Sequence, residues 1–193
     1  MSVSSVNQRP HRGWAILEHG TVAVLAIIVV AYVASKLWDL WFKKDVAVET
    51  TNIQTLVSNG RAMKSNSGYN FTSGTTMTGT LIQVGGAPKG MTVQGTASSG
   101  TATLWNSYGG QVVMAPVATS GFNNGFSVTY PRVPQADCIS IAQQLGAGGA
   151  FAGITINSTA FSDGAVSAED AGKACQADSG RTGNNTLVFT VNG

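Results

Sequence analysis

Residues 9–45 decide the fold of this chain, and they read RPHRGWAILEHG, TVAVLAIIVVAYVAS and KLWDLWFKKD. A short basic leader ends at Gly13, and an apolar segment begins at Trp14. One carboxylate, Glu18, lies inside this segment. Everything after residue 65 has the composition of a polar body, so the apolar segment must be explained before the body can be.

The segment 14–35 contains 22 residues, which as a helix are enough to span a bilayer about 30 Å thick. Arg9 and Arg12 precede it, and this favours a cytoplasmic N-terminus and an exported C-terminal body. Three lysines follow between residues 36 and 44, so the charge asymmetry is weak. The nearly uncharged body still favours this topology.

The body is unusually poor in charge. Charged residues are 10% of the chain, against roughly 25% in average soluble proteins. Between Ser65 and Ala136 only Lys89 and Arg132 are charged. Such a surface is typical of extracellular and fibre-forming proteins, and equally of an ordinary neutral β domain. The net charge of +2 with scattered basic residues argues against nucleic-acid binding.

The two cysteines, Cys138 and Cys175, both lie in the body. If the apolar segment delivers the body outside the cytoplasm, one disulfide is the simplest prediction. It would close a loop of about 37 residues and stabilise the fold by roughly 3–4 kcal/mol. The alternative is two buried thiols.

Glu18 is the anomaly of the apolar segment, because a carboxylate in an apolar helix is costly and usually has a functional partner. In one interpretation the membrane edge begins at Gly20, and Glu18 lies among the lipid headgroups. In the other, the carboxylate is buried against a cation.

The string Arg12-Gly13 followed by Trp14–Glu18 and an apolar run resembles the processing site of type IV prepilins. The resemblance implies that a prepilin peptidase cuts between Gly13 and Trp14. It implies that Glu18 then faces the new α-amino group of Trp14 in a neighbouring subunit and sets the axial register. Trp14 stands where most of the family has Phe or Met, which is similar to the type IVb subgroup, particularly the major pilins of plasmid-encoded thin pili used in mating and adhesion.

A secretory signal peptide is the competing interpretation, with cleavage after the small residues 33–35. It would contain Glu18 and leave an apolar new N-terminus from Lys36 to Phe42. N-terminal sequencing separates the two, because the mature chain starts at Trp14 in one case and at Lys36 in the other.

The resemblance and the residue pattern together predict an α+β fold of the type IV pilin kind. We expect a leader over 1–13, a helix over 14–64 whose part 14–35 is the transmembrane segment and fibre core, and a β-rich globular domain over 65–193. The helical spine packs on an antiparallel sheet, and a disulfide closes the C-terminal region. No Pro or Gly occurs from residue 21 to 59, so a helix about 75 Å long is expected, which needs partners along its exposed half.

Within the body, alternation of apolar and polar residues predicts strands. The predicted strands are Met77–Val84, Met91–Ala97, Thr101–Trp105, Gln111–Ala115, a strand carrying Phe126, Val128 and Tyr130, and a final strand carrying Leu187, Phe189 and Val191. Two short helices are expected, one over Pro134–Leu145 and one starting at Ser167 as N-cap. These helices would carry the two cysteines.

An enzyme is poorly supported by the sequence. The only histidines are His11 and His19, so the body cannot hold a histidine triad or an imidazole metal site. Asp163, Glu169 and Asp170 could bind a cation weakly, but a solvated helix start explains them better. We expect no catalytic residues, no metal and no cofactor.

The first hypothesis is therefore the major structural subunit of a type IVb pilus. It would be cleaved by a prepilin peptidase, wait in the inner membrane, and be assembled by the pilus machinery into an extracellular homopolymer for adhesion or conjugative mating. The alternatives are a minor pilin or tip adhesin and a pseudopilin of a type II-like secretion system. Copy number in purified fibres separates these, because a major pilin dominates the fibre.

Overall fold

The computed structural model describes residues 12–119, 121–180 and 182–192, and it describes the side chains of the first helix from 22 to 34 and from 46 onward. The chain divides into two compact units, with the boundary between Lys43 and Lys44. Each unit is described by itself below.

Helix α1 runs from Arg12 to Arg61. In the first unit all its described side chains, 22–34, are exposed. In the second unit one face is buried and carries Ile53, Leu56 and Val57, the three- and four-residue spacing of a helix packed on a core. The helix ends three residues before the predicted Lys64, because a turn in which the Met63 N–H donates to the Gly60 carbonyl takes over.

The sheet of the second unit has seven antiparallel strands in the order β1-β2-β3-β4-β7-β5-β6. Their bounds are β1 Thr92–Gln94, β2 Thr103–Trp105, β3 Gln111–Thr119, β4 Phe122–Val133, β5 Gly153–Ile156, β6 Thr159–Phe161 and β7 Asn185–Asn192. β1 and β6 form the two edges. The predicted mixture of helices and antiparallel sheet is confirmed.

The strands β4 and β7, which carry two of the predicted alternations of apolar and polar residues, place their apolar side chains on one buried face of this sheet. In β4 and β7 the register pairs Phe126 with Val191, Val128 with Phe189 and Tyr130 with Leu187. All six side chains are fully buried in one hydrophobic cluster that also includes residues of α1 and of further helices. Gly60 allows α1 to approach this layer, because a Cβ there would lie 2.5 Å from the Met114 Cε atom and 2.7 Å from the Phe126 ring.

The prediction of a strand over Met77–Val84 is wrong, because this stretch belongs to helix α2, Gly74–Gln83. The Ser73 hydroxyl caps the helix by accepting from the Thr76 N–H, which is the role that favours serine at this position. Met77 and Leu81, four residues apart, share its buried face. The threonines of this segment favour a strand by local propensity, and packing on the core outweighs that preference.

Helix α3 spans Gln135–Gly146 and helix α4 spans Ala168–Ala174. The Ser167 hydroxyl accepts from the Asp170 N–H, as predicted for an N-cap. Cys175 follows α4 as its C-cap residue. The hairpin of β5 and β6 between the two helices was not predicted, because its strands are only four and three residues long.

Candidate assembly interface

The exposed apolar side chains of the first unit are the most unusual surface in the molecule. They are between 48% and 68% exposed. The large ones are Val22, Val24, Leu25, Ile27, Ile28, Val29, Val30, Tyr32 and Val33. They surround the helix rather than forming a stripe, and a helix that is apolar on all sides is normally buried in a large core or a membrane. We call residues 22–34 the apolar helix segment.

Across the residues described, no helix is both long enough and apolar enough to cross a membrane.

For the residues predicted to take part in processing and axial register, the structure describes the backbone but not the side chains. Gly13, Trp14 and Glu18 have helical backbone within α1, but their side chains lie outside the described residues, as do residues 1–11 of the leader. Cleavage between Gly13 and Trp14, and the pairing of Glu18 with the Trp14 amine, therefore stay predictions.

The disulfide is present and joins Cys138 of α3 to Cys175 at the end of α4, with Cα atoms 6.1 Å apart. Both residues are almost fully buried. The bond confirms the prediction of a disulfide-closed C-terminal region. It ties α3 to the end of α4.

A buried amide network, which the sequence analysis missed, closes the same region. The Asn185 side chain donates to the carbonyls of Val133 and Gln176, at 3.1 and 2.9 Å. Its oxygen accepts from the Asn157 amide at 2.9 Å, and that amide also donates to the Ala174 carbonyl at 2.9 Å. Asn157 has φ of 54°, a left-handed conformation that asparagine tolerates better than most residues. One feature of the sequence could have indicated this network, namely that Asn157 lies in a turn between short apolar runs.

A second polar cluster, built on Glu49, fastens α1 to the sheet. The Glu49 carboxylate is fully buried and accepts hydrogen bonds from the Tyr130 hydroxyl, from the Asn52 amide at 3.2 Å and from the Ser107 N–H at 3.1 Å. A buried carboxylate needs such donors because burial without them is strongly unfavourable. The burial of Glu49 was not predicted from the sequence.

Two fully buried tyrosines differ in their hydroxyl partners. Tyr130 donates to Glu49, whereas the Tyr69 hydroxyl has no hydrogen-bond partner in the part of the chain that the structure describes. Burial raises the pKa of Tyr69, and the charge of Arg61 opposes this only in part, so this hydroxyl is neutral. Tyr69 contributes through its ring, which meets Phe126 edge-on with centroids 5.1 Å apart.

We therefore expect the same chemical change to have different effects at the two positions. Tyr130→Phe removes a donor from a buried carboxylate and lowers the free energy of unfolding by about 2 kcal/mol. Tyr69→Phe removes a hydroxyl that has no partner and changes stability by less than ~0.5 kcal/mol, or raises it. Chemical denaturation of both variants measures the difference. Equal losses at the two positions would contradict the assigned roles.

The acids singled out in the sequence each have a local partner. Asp163 accepts from the Ala165 N–H at 3.0 Å, Asp170 accepts from the Ser167 hydroxyl at 2.6 Å, and Glu169 forms an exposed ion pair with Lys173. Within the described ranges, no group of three or more His, Cys, Asp or Glu side chains could hold a metal ion.

Comparisons with known proteins point to one family. Residues 43–192 match the family model described as PilS N terminal. A crystal structure of the type IVb pilin from Salmonella typhi is 53% identical with a TM-score of 0.68, covering 76% of this chain and 99% of that one. An NMR structure of type IVb pilin PilS from Salmonella typhi is 52% identical with a TM-score of 0.56, covering 78% and 98%. None of the curated proteins matches the chain.

Proposed function

Because this chain belongs to the PilS family of type IVb pilins, we propose that it is the major subunit of its pilus, processed at Gly13 and polymerised through its N-terminal helix. The family is one of structural subunits rather than enzymes, and its members assemble into extracellular pilus filaments. The proposal concerns how this chain enters the filament and how abundant it is there.

The apolar helix segment carries the proposal. Nine large apolar side chains exposed by 48–68% are not stable in water, and a fully buried side chain of this size gains roughly 1.5–3 kcal/mol. The membrane covers them first and neighbouring copies cover them later. The subunit therefore waits in the bacterial inner membrane, and the assembly machinery transfers its helix from lipid into a bundle of like helices.

Processing supplies the polar partner that this bundle needs. A prepilin peptidase cuts after Gly13, and removal of 13 residues leaves 180 of the 193. The new α-amino group of Trp14 is a cation at the depth of Glu18 in a neighbouring subunit. A paired carboxylate and amine are tolerated in an apolar core where either alone is not.

The composition of the body fits a subunit that forms the filament surface. Its exposed residues are largely Thr, Ser, Asn and Gly, which remain hydrated without charge and allow close lateral packing of copies. Such fibres serve surface adhesion, conjugative mating, or both.

We expect the chain to be the dominant protein of fibres sheared from cells that produce it. The measurement is the stoichiometry of purified fibres by gel and mass spectrometry. A trace amount in fibres built from another pilin would identify a minor or tip subunit instead. Absence from fibres, with the chain retained in a secretion complex, would identify a pseudopilin.

A further inference from the structure

A groove beside the β1 edge of the sheet has a cation at its rim. It is lined on one side by Val48, Thr51 and Thr55 of α1 and on the other by Pro88, Lys89 and Gly90, and encloses about 560 Å³. We call it the Lys89 groove. Its walls are small and largely apolar, and Lys89 is exposed.

Charge is segregated along the sequence, and Lys89 is the charged residue of the groove lining. Four cations and no carboxylate occur between Glu49 and Asp137. Arg61 and Arg132 donate to the carbonyls of Ala150 and Gly109, whereas Lys89 forms no ion pair with any residue that the structure describes. Four carboxylates and one cation lie between residues 163 and 178. Among the described residues there is one ion pair, between Glu169 and Lys173, which is highly exposed and so neutralises little of this charge.

The groove and the acidic segment lie at different places on the second unit. Pro88–Gly90 lead into the edge strand β1. The end of α4 is held at the start of β7, because the Asn157 amide donates to the Ala174 carbonyl and the Asn185 amide donates to the Gln176 carbonyl. The strands β2, β3 and β4 lie between β1 and β7, and no residue of segment 163–173 lines the groove, so the two surfaces do not meet within one subunit. Two different complementary surfaces on one subunit generate an open helical polymer.

A glycine in α4 gives an independent sign of close approach. Gly172 is helical, and a Cβ at this position would meet no atom within 4 Å. Glycine inside a helix is less stable than alanine by roughly 0.5–1 kcal/mol. Packing within the subunit therefore does not require glycine, and the missing side chain leaves room for a second molecule to approach the helix. Ala168, four residues earlier, makes the same face of the helix small.

We propose that the Lys89 groove of one subunit receives the acidic segment 163–173 of a second copy, with Lys89 facing Glu169 and Gly172 lying against α1. The occupant is a copy of this chain, because the segment carries both the opposite charge and the small surface that the groove accepts. This inference rests on the proposed function as a filament subunit and specifies one of the contacts between copies.

Charge reversal tests the contact in cells that assemble the full-length chain. We expect Lys89→Glu and Glu169→Lys each to lower the yield of sheared fibres about tenfold, since like charges then face each other. The double variant restores the yield toward the wild-type level because the pair is re-formed with opposite polarity. Lys64→Glu, at an exposed lysine outside the groove, is the matched control and should leave the yield unchanged.

A size increase at Gly172 provides a second readout that is independent of charge. Gly172→Leu should leave the subunit folded, with its disulfide formed and its thermal midpoint equal to or above wild type, and should lower fibre yield. Ala118→Leu, at an exposed site on β3, is the control.

Three outcomes separate the hypotheses. Normal fibres from Lys89→Glu, or a double variant no better than the weaker single one, overturn the docking but leave the major-subunit proposal intact. Wild-type-level fibres from Gly172→Leu likewise overturn it. If the wild-type chain itself is not the main component of fibres, the proposed function fails and the docking fails with it.

Discussion

We expect Glu18→Ala to abolish fibre assembly while the body still folds and forms its disulfide. In the proposed fibre, the variant would remove the one carboxylate of the apolar segment and leave the Trp14 amine of a neighbouring subunit buried without a partner. Breaking a buried ion pair by removing one member costs about 3–5 kcal/mol. A loss of ~3 kcal/mol in each addition step is on the order of a hundredfold in its equilibrium constant, and a polymer repeats this loss at every subunit.

The measurement is the amount of pilin in the sheared fraction relative to the cell-associated pool. Glu18→Gln separates charge from shape, because the amide keeps the size of the side chain but cannot neutralise an ammonium group. Thr21→Ala is a control for polar side chains at the start of the same segment and should assemble normally. Assembly of Glu18→Ala at the wild-type level would show that Glu18 does not set the axial register of the subunits.

Breaking the disulfide has the second largest expected effect, and it acts on the body rather than on assembly. The bond between Cys138 and Cys175 closes a loop with a sequence separation of 37, for which loop-closure entropy predicts a loss of about 3–4 kcal/mol. The loss should appear as a lower denaturation midpoint in Cys138→Ser, in Cys175→Ser and in the double variant.

The three variants should lose nearly the same stability, because one bond is broken in each. The amide network of Asn185 and Asn157 is independent of the sulfur atoms, so some order of this region should survive reduction. A loss below ~1 kcal/mol, against the 2–5 kcal/mol typical of native disulfides, would mean that this network alone closes the C-terminal region.

The sequence predicts most reliably those elements whose burial follows their own periodicity. β4 and β7 alternate because one face of each is buried in the hydrophobic cluster, and the alternation of Phe126, Val128 and Tyr130 is visible without the structure. The second half of α1 is visible for the same reason, through Ile53, Leu56 and Val57.

The errors arise where tertiary contacts outweigh local preference. α2 contains several β-branched residues, yet Ser73 caps it and Thr78 bonds across to β3, accepting from the Met114 N–H at 2.9 Å. Thr78 therefore reaches from a helix to bond the backbone of a strand, and no local sequence pattern predicts this contact. Glu49 was missed for a related reason, because its burial depends on donors 58 and 81 residues away.

The features proposed to act in assembly also divide into those that the sequence predicts and those that it does not. The exposed apolar segment and the cysteine pair can be read from residue types alone. The Lys89 groove cannot, because it is formed by α1 and the loop before β1, some 40 residues apart in the sequence.

N-terminal sequencing of the protein in purified fibres tests the account most directly. We expect a mature chain that begins at Trp14, retains the apolar helix segment and carries a free or methylated α-amino group. A chain that begins at Lys36 would contradict it, because the segment proposed to form the fibre core would then be absent from the fibre.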